Sequence, residues 1–257
     1  MRTVGKKPWP RLYVCFGVPK SGSTLAYQIS RAAAARAGFD QSPLTTLTKD
    51  TAGPSHVGDR FASVLASAER EEREMFVYKT HADLTPSLIE AVRSGTVLVQ
   101  VHTRDPRDVA LSMLDAAGRD DAWGRTHKQE PLQEIDDAKI RLRRLIRRHA
   151  AWAALPGALC LNYEHTAFST LDVARKTAGH MRVPVSPLRD ALSAKRRFTQ
   201  LNKGRSQRHL REMTPEQREA WYRDFREHID AYCPAPSGSV WISRLGTQLG
   251  QVLRKFS

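Results

Sequence analysis

The chain has 257 residues, which is enough for one large α/β domain with a sizeable core. Its formal net charge of +14 favours an anionic partner such as nucleic acid, an anionic membrane, an acidic polysaccharide or a phosphate-rich cofactor. The wide spacing of Cys15, Cys160 and Cys233 excludes a disulfide framework or a zinc-binding pattern. No apolar run approaches the roughly 20 residues of a membrane-spanning helix. We therefore expect a cytoplasmic protein.

The first predicted strand leads directly into a candidate phosphate-binding turn. An apolar run over 12–17 is followed by the turn Pro19-Lys20-Ser21-Gly22-Ser23-Thr24 and by an Ala-rich helix over 25–37. A strand, a glycine-containing turn and a helix together aim backbone N–H groups at a phosphate, and the Ser23 and Thr24 hydroxyls can cap the helix or bind the anion. The turn departs from the nucleotide triphosphatase loop, because Ser23 stands where that motif has its lysine.

Two further predicted strands also end in charged turns. A polar loop over 39–60 and a helix over 61–74 precede a short strand, Met75–Tyr78, which ends in Lys79-Thr80-His81. A helix over 84–94 leads to the clearest strand, Thr96–His102, which is followed by Arg104 and by a helix from Val109.

This alternation of strands and helices predicts a central parallel sheet flanked by helices. Ligands of such sheets bind outside the carboxyl ends of the strands. We therefore expect Lys20, His81 and Arg104 to face one crevice.

The second half of the chain continues the same pattern. We expect a loop over 116–134, a helix over 135–155, a fourth strand over 158–164 and a helix over 171–182. A basic segment over 198–206 then precedes a helix that begins at Thr214 with a capping-box pattern. The arginine-rich helix over 135–155 favours a solvated face over a binding groove.

We predict a single domain over residues 1–257, with a core over 10–235 and an amphipathic C-terminal helix over 238–257. The apolar stripe over 240–256 has basic residues on its opposite side. It can pack on the domain, join a second subunit in a homo-oligomer, or lie on an anionic membrane as a peripheral contact.

Together these motifs resemble the sulfotransferases that use 3′-phosphoadenosine 5′-phosphosulfate (PAPS). The turn over 19–24 is similar to their 5′-phosphosulfate loop, the P-loop-like element after the first strand. Their 3′-phosphate segment resembles residues 104–112. Their Lys-Thr-His turn resembles residues 79–81, and their C-terminal Lys-Gly loop resembles residues 202–205. The four motifs occur in the family's order and span most of the chain.

The resemblance implies a role for each matching residue. His81 would be the base that removes the acceptor hydroxyl proton, with Lys20, Lys79 and Ser112 as its catalytic partners. Lys20 would contact the leaving 5′-phosphate, and Ser112 would also restrain Lys20. The cofactor-binding residues implied are Pro19, Lys20, Ser21, Gly22, Ser23, Thr24, Arg104, Ser112, Tyr163, Lys203, Gly204 and Arg205.

The implied reaction moves a sulfuryl group in line from PAPS to an acceptor hydroxyl on a small molecule, a glycan or a lipid-linked compound. The product is adenosine 3′,5′-bisphosphate (PAP), no metal is required, and no nucleic-acid partner is expected. The C-terminal Lys-Gly loop departs from the family pattern. Asn202 occupies the position where vertebrate cytosolic members have arginine, and Gln207 and His209 lie near the places where those members have a glycine and a tryptophan.

Three alternatives stay open on the sequence alone. An ATP-dependent small-molecule kinase is disfavoured by the missing lysine of the triphosphatase loop. A non-enzymatic nucleic-acid-binding protein fits the charge, but the interleaved aromatic residues that stack bases are missing. A family member that binds PAPS without turnover is disfavoured by the presence of Lys20, His81 and Arg104.

Overall fold

Four strands form one parallel sheet, as the sequence predicted. The computed structural model describes residues 9–45, 61–122, 132–184, 186–196 and 204–233. Within these ranges every neighbouring pair of strands is parallel, in the order β2-β1-β3-β4. The strands are β1 (Leu12–Gly17), β2 (Phe76–Thr80), β3 (Val97–Thr103) and β4 (Leu159–Asn162). The predicted α/β class is therefore confirmed.

Helices follow the strands and cover both faces of the sheet. A 3₁₀ turn over Ile135–Asp137 leads into the fifth helix. The helices of the described residues are α1 (Ser23–Arg36), α2 (Phe61–Arg70), α3 (Pro86–Arg93), α4 (Pro106–Ala122), α5 (Ala138–Ala153), α6 (Tyr163–Phe168), α7 (Thr170–Met181), α8 (Pro187–Arg196), α9 (His209–Glu212) and α10 (Pro215–Tyr232).

The central strand β1 is buried on both sides. Leu12, Val14 and Phe16 pack with α2, α3 and α5, whereas Tyr13 and Cys15 point to the opposite face and pack with α1 and α7. Burial on both faces explains why β1 reads as a continuous apolar run rather than as an alternating one. The carboxyl end of β1 is thereby held rigidly between two helical layers.

Two expectations about where secondary-structure elements end were wrong. The fourth helix continues to Ala122 through residues expected to be a loop. Val109, Ala110 and Met113 pack its buried side against α5 and α10, and this packing stabilises the helix although residues 116–122 contain Gly118 and two aspartates. Tyr163 does not end the fourth strand but begins α6. There the side chain of Asn162 caps the helix by accepting the His165 N–H at 3.0 Å.

Several expectations fall outside the described residues. These include Lys203, the amphipathic segment over 238–257, residues 46–60 of the first expected loop and residues 123–131 of the second. The division of the chain into a core and a C-terminal helix stays a prediction. In the part of the chain that the structure describes, every helix is too short or too polar to cross a membrane.

Candidate active site at the carboxyl edge of the sheet

The turn over 18–22 joins β1 to the N-terminus of α1. Gly17 lies so close to α1 that an added Cβ would overlap the Ser23 side chain. The Val18 N–H donates to the His102 carbonyl at 3.0 Å, and the Ser21 N–H donates to the Val18 carbonyl at 3.2 Å. These bonds hold the turn against the end of β3.

The first turn of α1 faces this edge without a side-chain cap. Its N-cap residue is Gly22, with φ of 84° in the left-handed region, rather than Ser23 or Thr24 as expected. An N-terminus of this kind directs backbone N–H groups and the positive end of the helix dipole towards an anion. Pro19 is half-buried and Lys20 is exposed, so the loop lysine is accessible to a ligand.

The Ser21 side chain points into the protein instead of towards the edge. Its hydroxyl lies 3.1 Å from Nδ1 of His102, and Nε2 of His102 lies 2.7 Å from the Thr166 hydroxyl. Since Thr166 donates its one proton to the Asn162 carbonyl, His102 donates from Nε2 and accepts at Nδ1 from Ser21. Burial lowers the pKa of His102 to about 3, so this ring stays neutral.

Lys79 and Thr24 bring the end of β2 to the first turn of α1. The Lys79 Nζ donates to the Thr24 hydroxyl at 2.8 Å, and the side chain of Lys79 is buried. Burial is the main cause that lowers the pKa of Lys79 to about 8. Lys79 therefore carries a positive charge at neutral pH and loses it in the mildly alkaline range.

His81 is oriented by the end of β1. Its Nδ1 is bonded to the Gly17 carbonyl, and because a carbonyl only accepts, Nδ1 carries the proton and Nε2 carries the lone pair of the neutral ring. The Arg148 Nη1 donates to the His81 carbonyl at 2.7 Å, while Arg148 Nη2 donates to Asp83 at 2.6 Å. The tautomer and the backbone position of His81 both suit a base that uses Nε2.

Arg104 lies at the end of β3 in a buried cluster. Its Nη2 donates to Asp108 at 3.0 Å and to the Arg205 carbonyl at 2.8 Å, and its guanidinium lies 3.8 Å from the centre of the Tyr163 ring. Its Nε is buried and has no hydrogen-bond partner among the described residues. Burial works to raise the pKa of Asp108, but bonds to His209 and the charge of Arg104 outweigh it and lower the pKa.

Tyr163 connects this cluster to the turn over 18–22. A Cβ added at Gly22 would lie 2.9 Å from Cδ2 of the Tyr163 ring, so the ring packs directly on the turn. The ring thus has the turn on one side and the Arg104 guanidinium on its face. The end of β3 and the N-terminus of α1 border the same region.

The remaining predicted site residues lie on two elements. Ser112 is buried on α4, eight residues after Arg104 in the chain, and Gly204 adopts a left-handed φ of 61°. Arg205 contributes its backbone carbonyl to Arg104, and its own side chain is exposed. Lys203 falls outside the described residues.

The sequence did not predict what anchors the segment over 204–209. Arg208 is buried and bonds Glu212 at 2.6 Å and Asp115 of α4 at 2.9 Å, and the His209 Nδ1 lies 2.8 Å from Asp108. The spacing of Arg208 and Glu212 is a helical i,i+4 pair, which is the one signal that could have indicated this anchor.

No protein-family model matches the chain, and no curated protein matches it in sequence. Solved structures do match its fold. Retinol dehydratase in a complex with retinol and PAP is 13% identical, with a TM-score of 0.56 over 89% of this chain and 84% of that chain. Mouse sulfotransferase SULT7A1 complexed with PAP is 14% identical, with a TM-score of 0.55 over 96% of this chain and 88% of that chain. The chain therefore has the sulfotransferase fold that its motifs predicted.

Proposed function

We propose that the protein is a sulfotransferase that moves the sulfuryl group of PAPS to an acceptor hydroxyl. One observation carries the proposal: the N-terminus of α1, Lys79, His81 and Arg104 meet at the carboxyl edge of one parallel sheet. Retinol dehydratase and the mouse sulfotransferase, which share this fold, were both solved with PAP.

The residues at this edge suit a nucleotide with phosphates at both ends of its ribose. The open N-terminus of α1 and the accessible Lys20 offer donors and positive charge to the 5′-phosphosulfate. The buried Nε of Arg104, which has no partner among the described residues, offers a donor to the 3′-phosphate. The two groups lie on either side of Tyr163, so one ligand can reach both.

The chain supplies a base and a means of charge stabilisation. His81 accepts the acceptor proton at Nε2 while the acceptor oxygen forms a bond to sulfur and the bond from sulfur to the 5′-phosphate oxygen breaks. Lys79 and the α1 N-terminus stabilise negative charge on the transferring and leaving oxygens. As in phosphoryl transfer, positioning and electrostatics provide most of the rate enhancement.

Replacing His81 tests the proposal directly. We expect His81→Asn to lower PAPS turnover by about a hundredfold to ten-thousandfold, measured as PAP released with a panel of hydroxyl compounds. The asparagine amide can still donate to the Gly17 carbonyl, so the Kd for PAP should change little. Loss of PAP binding in a folded variant would instead assign His81 a structural role.

A further inference from the structure

Helix α5 extends past the carboxyl edge of the sheet beside the proposed base. Near its C-terminus Trp152 stacks on Phe16 of β1, with ring centroids 4.8 Å apart. One turn earlier Arg148 donates to the His81 carbonyl, which lies beyond the end of β2. The residues of α5 that precede Arg148 therefore continue outward from the edge at which His81 lies.

The two flanks of α5 differ in how the positive charge of their outer residues, those before Arg148, is balanced. On one flank Lys139 and Arg143 pair with Asp224 of α10 at 3.2 and 3.4 Å. On the other flank Arg141 precedes Arg148 by seven residues, so it shares the side of the helix that faces His81 and lies about 10 Å farther out.

Arg141 has no acidic partner among the described residues. Its side chain is half-buried, and this burial lowers its pKa although a guanidinium stays charged. Arg144, one turn along the same outer side, is exposed and likewise pairs with no described carboxylate. A partly desolvated cation without a counter-charge is unfavourable unless a ligand supplies one.

We propose that the acceptor of this enzyme is an anionic hydroxyl compound whose negative group binds Arg141, with Arg144 beside it. The negative group would lie on the order of 10 Å from the hydroxyl that receives the sulfuryl group. This inference rests on the proposed function, because it assumes that His81 marks the position of the reacting hydroxyl. It identifies the part of α5 that selects acceptors.

Binding to the complex with PAP tests the inference without requiring turnover. The probes are ω-hydroxy carboxylic acids of roughly six to twelve carbons, which span the estimated 10 Å, and their uncharged methyl esters. Calorimetry on the PAP complex should give at least about tenfold tighter binding of one acid than of its ester, as expected for a charge-assisted hydrogen bond. The preference should weaken as salt is added.

Two variants distinguish the proposed flank from general positive charge. Arg141→Gln should reduce the preference for the acid to about twofold or less, whereas Arg143→Gln on the opposite flank should leave it unchanged. Equal binding of acid and ester, binding of neither, or an unchanged preference in Arg141→Gln would overturn the inference. Failure of the wild-type protein to bind PAP would overturn the proposed function instead.

Discussion

Arg104 is the residue whose replacement best separates the two ends of the proposed nucleotide site. Its Nη2 already donates to Asp108 and to the Arg205 carbonyl, whereas its Nε is buried and has no partner in the part of the chain that the structure describes. A lysine at this position can keep a charge beside Asp108. All its donors sit on one nitrogen, however, so it cannot contact Asp108 and a phosphate from two separate nitrogen atoms, and it has no planar group to stack on Tyr163. Arg104→Lys should therefore remove the 3′-phosphate contact and preserve the fold.

The expected loss follows from one charge-assisted hydrogen bond. Such a bond contributes about 1.5–3 kcal/mol, so the Kd for PAP should rise by about tenfold to a hundredfold. Adenosine 5′-phosphosulfate lacks the 3′-phosphate, and its Kd should change much less. Calorimetric titration of both nucleotides into both proteins measures the difference.

Alanine at position 104 would disturb the fold as well as the nucleotide site. Arg104→Ala would remove the cation that pairs with the buried Asp108 carboxylate, and breaking a buried pair costs about 3–5 kcal/mol of stability. Chemical denaturation should show Arg104→Lys close to wild type in free energy of unfolding. Equal weakening of the two nucleotides by Arg104→Lys would refute the assignment of this residue to the 3′-phosphate.

Three further perturbations have defined outcomes. Gly22→Ala should lower the free energy of unfolding by more than Gly38→Ala does. Both glycines have a positive φ, but only at Gly22 would the new Cβ crowd another side chain, the Tyr163 ring. Equal losses of unfolding free energy in urea titrations would argue against this packing. PAP affinity should fall between pH 8 and 10 as Lys79 loses its charge, and Lys79→Arg should abolish that fall. If the Lys79→Arg variant shows the same pH profile as the wild type, the charge of Lys79 does not act on the ligand. Burial lowers the pKa of His149 to about 3, below the unfolded value near 6.5. The unfolded chain therefore binds more protons, and the free energy of unfolding should fall as the pH drops below 6.5. His149→Phe should make this fall shallower by up to about 1.4 kcal/mol per pH unit, and an unaltered slope would contradict the buried neutral ring.

Local patterns were sufficient to predict the sheet and the edge at which the candidate residues gather. The run over 12–17 and the glycines at 17 and 22 indicate a strand and a tight turn whatever the rest of the chain does. The polar residues after β1, β2 and β3 share one edge because parallel strands end on the same side. These features depend on neighbours in the sequence, so the sequence reveals them.

Features that depend on distant contacts could not be predicted. The bond from Arg104 to the Arg205 carbonyl joins residues 101 positions apart, and the His102 ring buried behind Ser21 reads in the sequence as an ordinary strand residue. Helix α8 is weakly apolar, with Leu188 and Leu192 exposed, and it packs on α1 through Ala194 and an ion pair between Arg36 and Asp190. Tertiary packing, rather than local propensity, specifies these elements.

The central claim is that this edge of the sheet binds a nucleotide with a 3′-phosphate. The most direct test is a calorimetric titration of the purified protein with PAP, run beside ATP with Mg²⁺. The proposed sulfotransferase predicts tight binding of PAP that chelators do not affect, and much weaker binding of ATP. Binding of ATP with Mg²⁺ but not of PAP would contradict the account and favour a kinase.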